Sequence, residues 1–236
     1  MSGGGQSDLD LRTAVISGCR DLTRLGLTYG TSGNVSVRRG PESFFVSPTG
    51  MAYDTLAPQD VPLVTLDGAW HGRRRPSSEW RFHRDIMAAR PEVGAIVHAH
   101  SRHATALACT GRGISAFHYM VAVAGGEDIR CAPYHAFGTQ ALSDAALAAL
   151  EGRKACLLAH HGIIALGADL STALQLAGEV ESLAAQYCTA LTLGGVELLD
   201  ARQMQVVIEK FRTYGRQDAA DPALRAGGET LPPRQC

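Results

Sequence analysis

The sequence predicts a single α/β domain, and three observations predict it. Segments with apolar residues at helical spacing alternate along the chain with short apolar runs of strand length. The 236 residues, 45% apolar and 19% charged, are ample for one well-buried core. No internal repeat or linker divides them, so 1–236 reads as one unit, with mobile polar tails expected at 1–7 and 216–236.

The first helix spans 8–27, where Leu11, Val15, Ile16, Cys19, Leu22, Leu25 and Leu27 recur at helical spacing. Asp8 or Asp10 is placed to cap its start and Gly26 to end it. Gly30-Thr31-Ser32-Gly33-Asn34 then leads into alternating Val35 and Val37. Small residues with free N–H groups and hydroxyls before a strand suit an anion-binding loop, although such clusters also simply turn a chain. Phe44 to Ser47 reads as a partner strand that runs into a second small polar loop, Ser47-Pro48-Thr49-Gly50. After a strand near Val61 to Leu66, a helix opens at Pro76-Ser77-Ser78-Glu79 and stops before Pro91. Ser77 or Ser78 stands where the N-cap is expected, with Glu79 in the first turn. Such a start is either a routine cap or a phosphate site built from two hydroxyls and free N–H groups.

Val93-Gly94-Ala95-Ile96-Val97-His98-Ala99-His100 is the stretch on which the chemistry turns. In a strand, side chains at i and i+2 share a face, so His98 and His100 project together with Cα atoms about 6–7 Å apart. Two imidazoles so placed converge readily on one metal ion, though a lone pair of this kind also serves to close a strand. An Ala-rich helix follows to about Cys109, and residues 114–124, with His118-Tyr119-Met120, end at Gly125-Gly126. Pro133-Tyr134-His135-Ala136-Phe137-Gly138 precedes a helix over Thr139 to Leu150. Ala155 to Ala159 is a second buried strand that also ends in histidines, His160-His161, before Gly162. Adjacent strand residues face opposite sides, so only one of the two joins His98 and His100, and spacing does not select it. Glu79 offers a fourth ligand or a base; Glu79 with His83, at i and i+4, is a competing metal pair. His71, His103, His118 and His135 read as surface or structural. Helices over Ser171 to Leu193, with Glu179 and Glu181 among apolar positions, and Arg202 to Tyr214 complete the chain.

Composition excludes several classes. A net charge of −1 gives no bulk attraction to nucleic acid or an anionic membrane. No apolar run has bilayer length and no signal-peptide pattern opens the chain, so a cytoplasmic protein is expected. The six cysteines lack Cys-x-x-Cys spacing, which predicts reduced, mostly buried thiols rather than disulfides or a thiolate metal site.

Taken together, several stretches carry a family resemblance. Gly30 to Arg38, Ser47 to Gly50, Pro76 to His83, Val97 to His100, Phe117 to Met120, Cys131 to Tyr134, His160 to Gly162 and Lys210 to Gly215 are similar, in this order, to the motifs of the class II aldolase/adducin family. The resemblance implies a three-layer α/β/α fold around a mixed, mostly antiparallel sheet, assembled as a homotetramer with sites at subunit interfaces. It implies one Zn2+ per subunit on His98, His100 and His161, with Glu79 as a further ligand that moves off to act as general base. Thr31, Asn34, Thr49, Gly50, Ser77 and Ser78 match the phosphate and substrate pocket. Tyr119 matches a proton donor reaching the site of a neighbouring subunit, and Tyr214 a catalytic aromatic of the C-terminal part. The implied reaction is reversible cleavage of a ketose 1-phosphate, of the L-fuculose 1-phosphate type, to dihydroxyacetone phosphate and a small aldehyde such as L-lactaldehyde.

Elementary chemistry agrees. Breaking a carbon–carbon bond beside a ketone needs a sink for the electrons left on carbon. The chain has only Lys154 and Lys210 for a Schiff base, neither in one of these loops. A Lewis-acid zinc stabilising an enediolate is the other sink. The alternatives are a pentulose-phosphate 4-epimerase or a sugar-phosphate dehydratase of the same family, with an adducin-like head or a two-histidine iron oxygenase more remote.

Overall fold

The computed structural model of the chain describes residues 7–212. Tyr214, Cys236 and the tail expected from residue 216 lie outside the described residues, as do residues 1–6. Ser7, assigned above to the leading tail, is the N-cap of helix α1 (Asp8–Arg24). Its hydroxyl accepts from the Asp10 N–H while the Asp10 carboxylate accepts from the Ser7 N–H, a reciprocal capping box. The expected Asp8 or Asp10 cap is therefore corrected. A serine oxygen in extended geometry reaches the third helical N–H, whereas Asp10 already sits inside the first turn.

The described strands are β1 (Asn34–Arg38), β2 (Ser43–Val46), β3 (Leu63–Thr65), β4 (Trp70–His71), β5 (Ala95–Ala99), β6 (Cys131–Ala132), β7 (Ala155–Leu158) and β8 (Gly162–Gly167). They form one sheet in the order β4-β3-β2-β1-β5-β8-β7-β6. Each neighbouring pair is antiparallel except β6 with β7, which is parallel. Strand β5 lies between β1 and β8 and is buried along its whole length. That explains its nearly unbroken apolar sequence: helices cover both faces, so alternation is lost.

Helices α1, α3 (Arg102–Ala108), α5 (Leu170–Thr192) and α6 (Ala201–Phe211) pack on one face. Leu11, Val15, Leu107, Val180 and Leu183 meet Val35, Val97, Leu157 and Ile163 there. Helices α2 (Trp80–Ala89) and α4 (Gln140–Ala149) cover the other face, where Phe82, Ile86 and Leu142 meet Phe44, Ile96 and Ile164. Fully burying such a side chain contributes about 1.5–3 kcal/mol. Within β5 the period of two assigns Val97 to the α1–α5 side and His98 to the α2 side, where its ring lies 5.5 Å from that of Phe82.

Two side chains anchor helices near the site. Arg38, at the end of β1, donates to the carbonyls of Met87, Arg90 and Val93 and so closes the C-terminal end of α2. Glu181 of α5 accepts from the free N–H groups of His103 and Ala104 at the start of α3 and pairs with the His103 ring. His103, expected to be surface or structural, is thus structural. Of the five described cysteines, Cys19 and Cys156 are buried, Cys131 and Cys188 half-buried and Cys109 exposed, all as free thiols. Thiols that are mostly buried were expected, and only two are. No described helix is long and apolar enough to cross a membrane.

Candidate active site

The end of β5 brings two histidines to one point. Asn34 of β1 pairs with His98 across the ladder, and His98 pairs with Ile164 of β8 on the other side. The His98 Nδ1 lies 2.8 Å from the Ile163 carbonyl oxygen. A carbonyl can only accept, so Nδ1 donates to it and Nε2 is the nitrogen turned toward the cluster. His98 Nε2 faces His100 Nε2 at 3.0 Å and Glu79 Oε2 at 3.2 Å.

The third imidazole comes from the β7–β8 hairpin. Leu158 pairs with Gly162, and Ala159, His160 and His161 make the three-residue turn between them. His160 takes the left-handed conformation, φ 56°, which such turns require at one position and which costs a non-glycine residue about 1–2 kcal/mol. The expectation that the two histidines sit in a strand is corrected, because they are turn residues and the strand period does not apply. His161 turns inward, its ring 4.7 Å from that of His98 and 4.9 Å from that of His100. His160 turns away and meets the edge of Tyr134 at 5.9 Å.

Glu79 closes the cluster from α2. It occupies the N-cap position itself and makes no capping hydrogen bond. The expected Ser77 or Ser78 cap is therefore corrected: Ser77 instead makes a tight turn, its hydroxyl accepting from the Glu79 N–H. This frees the carboxylate for the cluster. Oε1 stands 3.2 Å from His161 Nε2 and, although buried, accepts no hydrogen bond. Burial alone would raise the Glu79 pKa, but His98 and His161 outweigh it and hold the carboxyl well below the usual carboxylate range. Burial, reinforced by the neighbouring imidazoles, pushes His100 down to about 4, so it is neutral at pH 7.

These donors fit a divalent cation. One nitrogen from each of His98, His100 and His161 lies within 4.8 Å of the others. Three converging imidazole nitrogens beside an ionised carboxylate, one of whose buried oxygens accepts no hydrogen bond, make a ligand set that a cation satisfies. The backbone carbonyl behind His98 fixes its tautomer as a partner behind a metal ligand does.

The competing Glu79–His83 pair is not formed. His83 turns away from the cluster: its Nε2 is 2.6 Å from Asn34 Oδ1 and its Nδ1 2.7 Å from Ser36 Oγ. The other end of the Asn34 side chain donates from Nδ2 to Glu79 Oε2 at 3.0 Å.

Glu79, His100 and His161 of the cluster form one wall of a cavity of ≈ 330 Å³ that opens to solvent, with His98 buried behind them. Thr31, Asn34, Thr49, Gly50, Ser77 and Ser78, the six residues matched above to a phosphate pocket, all line it. Among the described residues no lysine or arginine lines it, so hydroxyls and backbone N–H groups supply its donors to an anion. Ser32, of the loop expected to bind an anion, and His160, the other candidate for the third ligand, line it too; sequence reasoning gave no site role to Tyr134, His135 or Phe137, which also line it, His135 having been expected to be surface or structural. The 134–138 segment reaches the cavity because Gly138, at φ 72°, lies so close to Ser78 that a Cβ would stand 2.6 Å from the Ser78 carbonyl oxygen. Arg81 of α2 donates to the Gly138 carbonyl and holds that approach. Gly138, together with the Cys131 to Tyr134 motif just before it, was the signal of it in the sequence. Tyr119 lies outside the cavity wall, 51% exposed on a short 3-10 segment over Tyr119–Ala124.

A helix-covered sheet of this order, with a three-histidine, one-carboxylate cluster beside a hydroxyl-lined pocket, defines the class. The chain matches the Class II Aldolase and Adducin N-terminal domain family over residues 13–188 and belongs to it. It is 54% identical over 209 residues to the 5-methylthioribulose-1-phosphate/5-deoxyribulose-1-phosphate aldolase of Rhodospirillum rubrum, covering 89% of this chain and 94% of that one. It is 46% identical over 206 residues to the L-fuculose phosphate aldolase of Escherichia coli K12, covering 87% and 95%. Among solved structures, an L-fuculose 1-phosphate aldolase superposes with a TM-score of 0.83 at 37% identity, over 90% of this chain and all of that one. The chain is a class II aldolase, a carbon–carbon lyase of sugar-phosphate metabolism.

Proposed function

We propose that this aldolase cleaves a ketose 1-phosphate bearing an apolar tail, releasing dihydroxyacetone phosphate and a small aldehyde. The observation that carries the reading is the joining in one cavity of a neutral hydroxyl rim with Glu79, His100 and His161, the cavity-lining members of the cluster that His98 completes from behind. The relatives named above act on 5-methylthio- and 5-deoxyribulose 1-phosphate and on fuculose phosphate. These sugars share the C1 phosphate and a deoxy or methylthio tail. Tyr134 and Phe137, aromatic and exposed at the cavity, suit such a tail. The 5-deoxy- and 5-methylthioribulose type comes first because the relative acting on it shares more of this sequence, with the L-fuculose 1-phosphate type second.

Zn2+ is the cation we assign to His98, His100 and His161; when bound it supplies a Lewis acid beside the ketone. The rim hydroxyls of Thr31, Thr49 and Ser78 and the nearby backbone N–H groups bind the phosphate, so alignment is supplied by a group that does not react. Glu79 delivers a proton to C3 after the C3–C4 bond breaks and removes it in the reverse direction. Its ionised state at neutral pH suits the synthetic direction. The C4 hydroxyl proton leaves through Tyr119 of a second copy, since Tyr119 lies outside the cavity of its own chain. A homotetramer with interface sites accommodates that.

The test is triose-phosphate release by Zn2+-loaded protein given 5-deoxyribulose, 5-methylthioribulose and L-fuculose 1-phosphates and L-ribulose 5-phosphate. Release from the deoxy-tailed 1-phosphates is expected. Epimer formation from L-ribulose 5-phosphate, without free triose phosphate from any substrate, would overturn the reading.

A further inference from the structure

Three buried polar side chains behind the cavity form a single chain that ends on Glu79. Asn34 and Ser36 are two apart on β1 and so share its α2-facing side, while His83 lies one turn beyond Glu79 on α2. Asn34 is 4% exposed, and Ser36 and His83 are fully buried. The contacts run Ser36 Oγ to His83 Nδ1 at 2.7 Å, His83 Nε2 to Asn34 Oδ1 at 2.6 Å and Asn34 Nδ2 to Glu79 Oε2 at 3.0 Å.

The proton on each contact follows from the one before it. The Glu79 carboxylate only accepts, so the Asn34 amide group must face it and Oδ1 must face His83. Oδ1 only accepts, so His83 Nε2 carries the proton. A fully buried ring with no carboxylate against it stays neutral, which leaves Nδ1 as the acceptor of the Ser36 hydroxyl proton. Each donor therefore points toward the carboxylate, and successive bonds polarise one another in the dry interior. Without His83, Asn34 Oδ1 loses its buried donor, and the amide is held at its Glu79 end alone, free to turn about that contact.

We propose that His83, braced by Ser36, is a positioning residue: through Asn34 it fixes the orientation of the Glu79 carboxylate at the histidine cluster. Neither His83 nor Ser36 lines the cavity, so both act only through Asn34. The proposal rests on Glu79 being the base of the aldolase reaction, but its geometric part can be tested without turnover. Asn34 is the only asparagine in the 236 residues, so selective 15N-asparagine labelling gives a single side-chain amide pair.

In the wild-type protein that pair should exchange slowly with solvent. In His83→Leu its exchange should quicken by about tenfold or more and its shifts should move, while His83→Gln, whose amide nitrogen replaces Nε2, should restore both. With the preferred ketose 1-phosphate, kcat should fall by about 10–100-fold in His83→Leu with KM within about twofold, and recover in His83→Gln. If His83→Leu does not fold, Ser36→Ala carries the same comparison from the far end of the chain. An Asn34 amide pair unmoved in shift and exchange in a folded variant would overturn the proposal. So would a moved pair with unchanged kcat. Absence of turnover in the wild type with every ketose phosphate would instead overturn the reading of the reaction and leave the amide result to decide the positioning role.

Discussion

Gly162→Ala perturbs the ligand-bearing strand end without touching a ligand. Gly162 begins β8 directly after His161, against the end of β5. A Cβ there would stand 2.4 Å from the Ala99 carbonyl oxygen and 3.0 Å from His100 Cδ2, where ordinary contact starts at 3.4 Å. The obstacle is backbone, so it cannot be relieved by rotating a side chain, and the two strands must part by about 1 Å. Overpacking of this kind costs about 1–3 kcal/mol, a fall in Tm of roughly 2–12 °C for a chain of this size. The same displacement separates His161 from His98 and His100, and a 1 Å misplacement near the chemistry costs on the order of 100-fold in rate. Chelator competition with Zn2+, thermal unfolding and kcat together measure it. Gly178→Ala in α5 is the control: nothing lies within 4 Å of its added Cβ, and it should gain about 0.5–1 kcal/mol. Wild-type metal affinity and Tm in Gly162→Ala would refute the claim that this close approach sets the ligand geometry.

Other substitutions separate the roles of neighbouring groups. His161→Ala should weaken Zn2+ binding by more than about 100-fold, beyond what changes behind a ligand typically do, and His160→Ala should leave it within a few-fold; equilibrium dialysis that found the reverse order would exchange their roles. Glu79→Gln should keep the metal on three histidines yet slow exchange of the dihydroxyacetone phosphate C3 proton by about 100-fold or more, read by loss of label. Asp60 is nearly inaccessible, yet its carboxylate accepts from the Ala57 N–H and from Arg73 and Arg74. Burial alone would raise its pKa, but these partners hold it at about 2, below the ordinary value near 3.8. Its contribution to stability is therefore complete above about pH 4 and lost as the pH falls through 2. Asp60→Asn should cost about 1 kcal/mol at pH 7, because both arginines are half-exposed and screened, and the Tm difference should close below pH 3. A difference that persisted at pH 2 would assign the effect to something other than the charge.

Local signals carried much of the architecture. The apolar spacing of residues 11–22 and 173–187 marks α1 and α5, and the polar clusters at 30–34 and 47–50 mark the loops that become the cavity rim. The i, i+2 rule placed His98 and His100 on one face, because strand geometry is the same wherever a strand occurs. Chain order could not reveal the sheet order. β1 meets β5 across more than fifty residues, and that pairing is what sets Asn34 beside His98.

The division at the site has a physical reason. Residue type and local period determine which groups are available and which face they take, and these the sequence settles by itself. Which of His160 and His161 joins the cluster depends on one left-handed residue in a hairpin turn, and a rule for strands does not apply there. Whether His83 faces the cluster or Asn34 depends on β1 and α2 packing together, and the reach of the 134–138 segment depends on Gly138 touching Ser78. Those are contacts between segments remote in sequence, and only tertiary packing could decide them.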